Sequence, residues 1–308
     1  MAVMSALVFA GQMINYTIPG TGSSGHLCGG MLLSAILGPW AGFLSMIVIL
    51  AIQALFFADG GLLALGANVW NMAFYGCFVG YFLIYRPLMQ GRLLAGKGRT
   101  KLVLASVLGC VVTLQLGALS VVVETSLSGI TALPFGAFAA LMQPIHLAIG
   151  LVEGGITAAV LLFVYQTRPE LLQCASAGAK NRCSRRAALA ILAAAALVIG
   201  GGLSLLASAN PDGLEWSLFG NEEAGYSANM GLDEEAYGAE SAAAEKAAAV
   251  QEKTSLLPDY NFDGSDSAAG TSVSGLVGCA LVAALAAIIS LAGRTARKRS
   301  GKKQASAG

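Results

Sequence analysis

A chain of 308 residues that is 56% hydrophobic and only 11% charged, with a mean hydropathy of +0.70, lies far from the balance of a soluble globular domain. These figures exclude an ordinary soluble enzyme and predict an all-α fold, a polytopic transmembrane helix bundle of about 7–8 membrane segments, one of them a half-span. The net charge of +1 conceals a segregation along the chain that fixes which loops share a side.

In chain order, the apolar stretches long enough to cross a hydrocarbon core are residues 1–16, 41–57, 68–85, 102–124, 135–165, 187–208 and 273–292. Residues 1–10 lack a basic n-region, so none reads as a cleavable signal peptide. Sixteen of the 18 Lys and Arg residues fall in three clusters, at 86–101, 168–186 and 294–303, and the positive-inside rule predicts that these loops are cytoplasmic. Thirteen of the 17 Asp and Glu residues lie between 210 and 272, in a loop placed outside by elimination.

Walking back from Arg86, the segment "TGSSGHLCGG" at residues 21–30 holds the first of the chain's two histidines, His26. Two readings of the chain after it stand open. Residues 31–57 form one long helix with His26 inside, or Gly38-Pro39 breaks it and a short half-span leaves His26 outside; glycine followed by proline favours the break. The glycines around His26 permit tight turns and close backbone approach, so amides and an imidazole can converge on a small ligand where irregular backbone lines a cavity. Gln12 and Asn15 end the preceding span, and Asn68 and Asn71 stand one turn apart at the start of another. Their structural alternative is helix capping and interhelical hydrogen bonding.

Further along, His146 and Glu153 are seven residues apart and share a helix face inside the 135–165 stretch. Ionisable groups at membrane depth point to a bundle interior, a partner or a transport path, and a structural contact of His146 with Glu153 or an asparagine stands beside a ligand role. "GRLLAGKG" at residues 91–98 departs from a phosphate-binding loop because Gly98 replaces the magnesium-binding Ser or Thr and no strand precedes it. Any ATP hydrolysis therefore belongs to a partner. The six cysteines, Cys28, Cys77, Cys110, Cys174, Cys183 and Cys279, show no CxxC spacing and imply neither a disulfide framework nor a zinc site. Small-residue runs such as residues 199–206 suit close helix packing. Residues 221–252 read as a flexible linker or a marginal helix, and their carboxylates as a solvated acidic loop. No paired carboxylates, nucleophile elbow or metalloprotease helix supports catalysis.

Three long words, "LVFAGQMINYTIPGTGSSGHLCGGMLLSAILGPWAGFLSM", "QALFFADGGLLALGANVWNM" and "HLAIGLVEGGITAAV", resemble the substrate-binding membrane component of energy-coupling-factor nickel and cobalt transporters. Residues 187–293, with "PDGLEW" and "LLPDY", resemble the two-span PDGLE accessory module of the same systems. The resemblance implies residues 1–166 as metal-binding component, 167–186 as a cytoplasmic basic linker, 187–293 as accessory module with an acidic external loop at 209–272, and 294–308 as a basic tail. It implies Ni(II) or Co(II) as transported substrate with no tightly bound cofactor, in a multi-pass bacterial or archaeal cytoplasmic membrane protein. The implied partners are a transmembrane coupling protein, cytosolic ATPase subunits and membrane lipid, with no nucleic acid.

In that family the ion sits in a near-planar set of nitrogens, which suits Ni(II) or low-spin Co(II). Three come from an N-terminal Met-His pair and the fourth from the histidine of the SGH loop, His26 by resemblance, with Gln12, Asn15, Asn68, Asn71, His146 and Glu153 as second-shell or pathway groups. This sequence begins "MAVMSALVF" and shows no counterpart for three of those ligands. The expectation is a start assigned too late or a truncated copy. The alternative function is a degenerate membrane scaffold that binds the coupling protein but not metal.

Overall fold

The computed structural model describes residues 1–91, 97–129, 133–174, 182–226, 242–262 and 267–305, with side chains through 296. The chain opens with α1 (Ala2–Gln12), a two-stranded antiparallel ribbon of β1 (Tyr16–Ile18) and β2 (Ser23–Gly25), and the short α2 (Gly30–Leu37). Then come α3 (Pro39–Phe56), α4 (Leu65–Gln90), α5 (Gly98–Ser128) and α6 (Phe135–Thr167). After them follow α7 (Arg185–Gly201), α8 (Gly213–Phe219), α9 (Ala242–Thr254) and α10 (Ala268–Ala305).

Among the described residues, α3, α4, α5, α6 and the Ala268–Ala296 part of α10 are long and apolar enough to cross a membrane, as an all-α multi-pass protein requires. The 11 residues of α1, eight of α2 and 17 of α7 fall short of that length. Most of the "GRLLAGKG" stretch, residues 92–96, lies outside the described residues, as do residues 227–241 of the acidic loop. The C-terminal part of that loop's middle stretch is helical in α9.

The two readings of residues 31–57 are decided by Gly38. Its φ of 85° and ψ of 162° belong to a region open to glycine, and Pro39 then opens α3 where a missing N–H costs nothing. The chain reverses so sharply that a Cβ at Gly42 would stand 3.0 Å from Ser34 N. Thus α2 is a half-span folded back on α3. Its C-terminal carbonyls are capped by a later segment: Gln173 N–H donates to Ala35 O at 2.8 Å and Gln173 Nε2 to Ile36 O at 3.2 Å.

Small residues let α2 sink into the bundle. A Cβ at Gly76 of α4 would lie 2.9 Å from Gly30 Cα, and Gly80 and Gly109 make room for the Met31 side chain. In residues Val69–Tyr85, α4 winds in wide π-type turns, an unusual length for that geometry. Trp70, Phe74, Phe78 and Phe82 stack along it, with neighbouring centroids 4.2, 5.7 and 6.4 Å apart. Both Trp70 and Phe82 are exposed, so this aromatic ladder faces outward. Phe9, Met31, Leu32, Leu33, Met46, Ile49 and Leu161 are buried in the main apolar core.

The pair α7 and α10 packs on α1. Gly275 meets the backbone of Gly200, and Gly278 accommodates the Phe9 ring, which is the close crossing that small residues allow in membranes. A second attachment lies at the C-terminal end of α3. Tyr260 stacks on Phe57 at 4.7 Å, accepts from Gln53 Nε2 at 3.2 Å and donates its hydroxyl to Asp59.

Burial, then the Asp59 carboxylate, hold the Tyr260 phenol well above its usual value of 10.0. Because the native value is raised, this contact stabilises fully below the unfolded-state value and is lost as pH climbs past it. The expected outcome is that alkaline unfolding above about pH 10 shifts upward in Tyr260→Phe relative to wild type. Thermal melts across pH 8–11 check it; parallel pH curves for the two proteins would refute it.

Candidate functional site

The ribbon and the loop after it carry His26 to the end of the bundle where the 210–226 segment sits. Tight turns at Gly20 and Gly22, with φ of 78° and 71°, reverse the chain between β1 and β2. Gly25 in β2 lies directly against the Ile149 side chain of α6, so the loop is pressed onto that helix before His26 begins.

Beneath the loop, Glu153 of α6 is 1% exposed. Its Oε2 accepts from Cys28 N–H at 2.9 Å and its Oε1 from Gly29 N–H at 2.9 Å. Gln12 Nε2 donates to Cys28 O at 2.8 Å. One buried carboxylate and one amide thus hold three backbone groups of the turn between His26 and α2, and Gly29 completes the turn with φ 83°. Buried backbone donors need such partners.

Above this clamp is a cavity of about 140 Å³ whose lining includes His26, Cys28, Asn68, Asn71, His146 and Asp212. That volume holds an ion with a few waters and is well short of what a drug-sized organic ligand needs. His146 Nδ1 lies 2.8 Å from Met142 O and His26 Nδ1 lies 3.2 Å from Leu27 O. A carbonyl only accepts, so Nδ1 carries the proton in each neutral ring and Nε2 keeps the lone pair that binds a metal. Asn71 Nδ2 donates to Glu124 Oε2 at 2.9 Å, and Asn71 Oδ1 is a buried acceptor without a partner among the described residues. Asn68 Nδ2 is turned to Gly60 O at 3.0 Å.

The structure therefore brings His26, Asn68, Asn71 and His146 to one cavity. Gln12 and Glu153 brace the His26 loop instead of lining that cavity. Asn15 lies off it, its carbonyl accepting from Ser208 N–H at 2.7 Å. His146 bonds to its own helix and to neither Glu153 nor an asparagine. No three of the His, Cys, Asp and Glu side chains form a group able to hold a metal ion among the described residues.

Asp212 is the lining residue that sequence reasoning missed. It lies in the PDGLE word, far along the chain, yet that segment is tied to the His26 loop. Ser24 N–H donates to Pro211 O at 2.8 Å, Ser24 Oγ to Asn210 O at 2.8 Å, Asn221 Nδ2 to Gly22 O at 2.8 Å and Tyr226 Oη to Gly20 O at 2.7 Å. The word itself was the available signal, but its aspartate looked like the other carboxylates of an acidic loop.

Residues 1–171 match the family model described as "Cobalt uptake substrate-specific transmembrane region", and residues 186–295 match the PDGLE domain. Among relatives, a putative fused nickel transport protein of Archaeoglobus fulgidus is 36% identical over 96% of this chain and 86% of its own length. A cobalt transport protein of Sorangium cellulosum is 36% identical over 55% of this chain and 74% of its own. A fused nickel transport protein of Rhodobacter capsulatus is 32% identical over 56% of this chain and 51% of its own. The length of the Archaeoglobus alignment, which runs through both matched regions, carries the assignment: this chain belongs to the family of substrate-specific membrane components of nickel and cobalt transporters, joined to a PDGLE module.

Proposed function

We propose that this protein captures Ni(II) or Co(II) in the His26 cavity and serves as the substrate-binding component of an energy-coupling-factor importer. In this reading the basic loops meet a transmembrane coupling protein, and separate cytosolic ATPases supply the energy. The observation that carries it is the pairing of His26 and His146 on one small cavity, each with Nδ1 engaged by a backbone carbonyl. Imidazole nitrogens suit borderline divalent ions over magnesium or calcium. His26 is the ligand; Asn68, Asn71 and His146 border the path, while Gln12 and Glu153 hold the loop. Residues 1–166 form the capturing unit and 187–293 the accessory unit, joined by the basic stretch at 167–186.

The test is uptake of radioactive nickel and cobalt by host cells carrying the chromosomal His26→Ala allele. Uptake is expected to fall to the level of cells lacking the gene. Undiminished uptake of both ions overturns the site and favours a membrane scaffold that handles no metal.

A further inference from the structure

The accessory segment does more than rest on the His26 loop: it reaches the cavity itself. A Cβ at Gly213 would stand 3.1 Å from His146 Cε1, so the Asp212-Gly213 backbone lies against the imidazole. Asp212 Oδ1 accepts from Leu214 N–H at 2.8 Å and Glu215 N–H at 2.9 Å, which fixes the rotamer of its carboxylate. Asp212 and His146 both line the 140 Å³ cavity. Two of its walls thus come from sequence regions 66 residues apart, one in α6 and one at the start of α8.

We propose that Asp212 and His146 form an outer station for the divalent cation, a two-ligand site built across the two parts of the chain that receives the ion before His26. This rests on the reading of the cavity as a metal site. A carboxylate attracts any cation, and an imidazole Nε2 beside it selects borderline divalent ions over magnesium. Two protein ligands leave most of the coordination sphere to water, so the ion is held weakly enough to move on. The accessory module then has a chemical part in capture, because without Asp212 the mouth of the cavity has a histidine and no charge to draw the ion in.

The experiment is equilibrium binding of Ni(II), with Mg(II) as control, to the full-length protein purified in detergent from its host membrane. Asp212→Asn removes the charge and keeps the helix cap, since asparagine caps as well as aspartate; His146→Gln is the second variant. Each is expected to weaken nickel binding about tenfold, and the double variant little more than the weaker single, because both act on one station. Mg(II) binding is expected to be undetectable throughout. An Asp212→Asn protein that binds nickel like wild type overturns the proposal, as do losses that simply multiply in the double variant. Should Asp212→Asn not fold, Asp212→Ser, a cap of the same rank without charge, takes its place. His26→Ala separates the two readings. If it abolishes nickel binding while the Asp212 and His146 variants bind normally, the station is wrong and the His26 site stands; the reverse pattern keeps the station and removes His26. Wild-type protein that binds no nickel overturns both.

Discussion

Replacing Glu153 with glutamine is expected to lower stability by about 2–3 kcal/mol and nickel uptake by at least about tenfold, although Glu153 does not line the cavity. Its two oxygens each accept from one backbone N–H, those of Cys28 and Gly29. Glutamine offers one oxygen and one NH₂ group, so one N–H must face another donor in a place where water does not reach. Glu153→Ala strips both partners and is expected to cost about 2–6 kcal/mol, from about 1–3 kcal/mol for each buried donor left unsatisfied. Uptake suffers with stability because the same turn sets the position of His26, two residues earlier. Unfolding in detergent and uptake in cells together check this. A glutamine variant as stable as wild type would show that the buried carboxylate is not the clamp.

Gly29→Ala is the companion experiment, acting on the same turn through the backbone. At φ 83° a Cβ costs about 1–2 kcal/mol, and here it would also collide with the Val8 side chain of α1, adding about 1–3 kcal/mol of overpacking. The expected total is a loss of about 2–5 kcal/mol. The two causes are separable: Val8→Ala in the same chain relieves the collision and leaves the backbone strain, so the double variant is expected to recover part of the loss. Full recovery would mean that Gly29 is not in the left-handed conformation. No loss in the single variant would mean that α1 and the turn are not in contact.

Much of this architecture was legible in the residues because it rests on local chemistry. Composition alone separates a membrane bundle from a soluble domain, and Gly38-Pro39 marks a helix break whatever surrounds it. The polar residues Asn68, Asn71 and His146 stand out because amides and imidazoles are rare in apolar helices, and the structure brings all three to the cavity of His26. Depth was not legible. His146 and Glu153 share a face of α6, but seven residues are about 10.5 Å along the axis, enough to put one at the cavity and the other at the clamp below. Nor was Asp212, whose neighbour across the cavity depends on how two distant segments dock. The wide turns of α4 left no mark in the sequence that periodicity could read.

The clamp at Glu153 also constrains when the site can form. The half-span α2, eight residues long, is too short to settle across a bilayer by itself, and the donors of the turn before it are satisfied only by a residue 124 and 125 positions later. A ribosome delivers the chain from the N-terminus at about 5–20 residues per second, so the His26 loop waits several seconds, through three further spanning helices, before its partner arrives. Asn210 and Pro211, which hold Ser24, come later still. The His26 loop is thus among the first segments made and the last completed, and its maturation reports that the bundle around it has assembled.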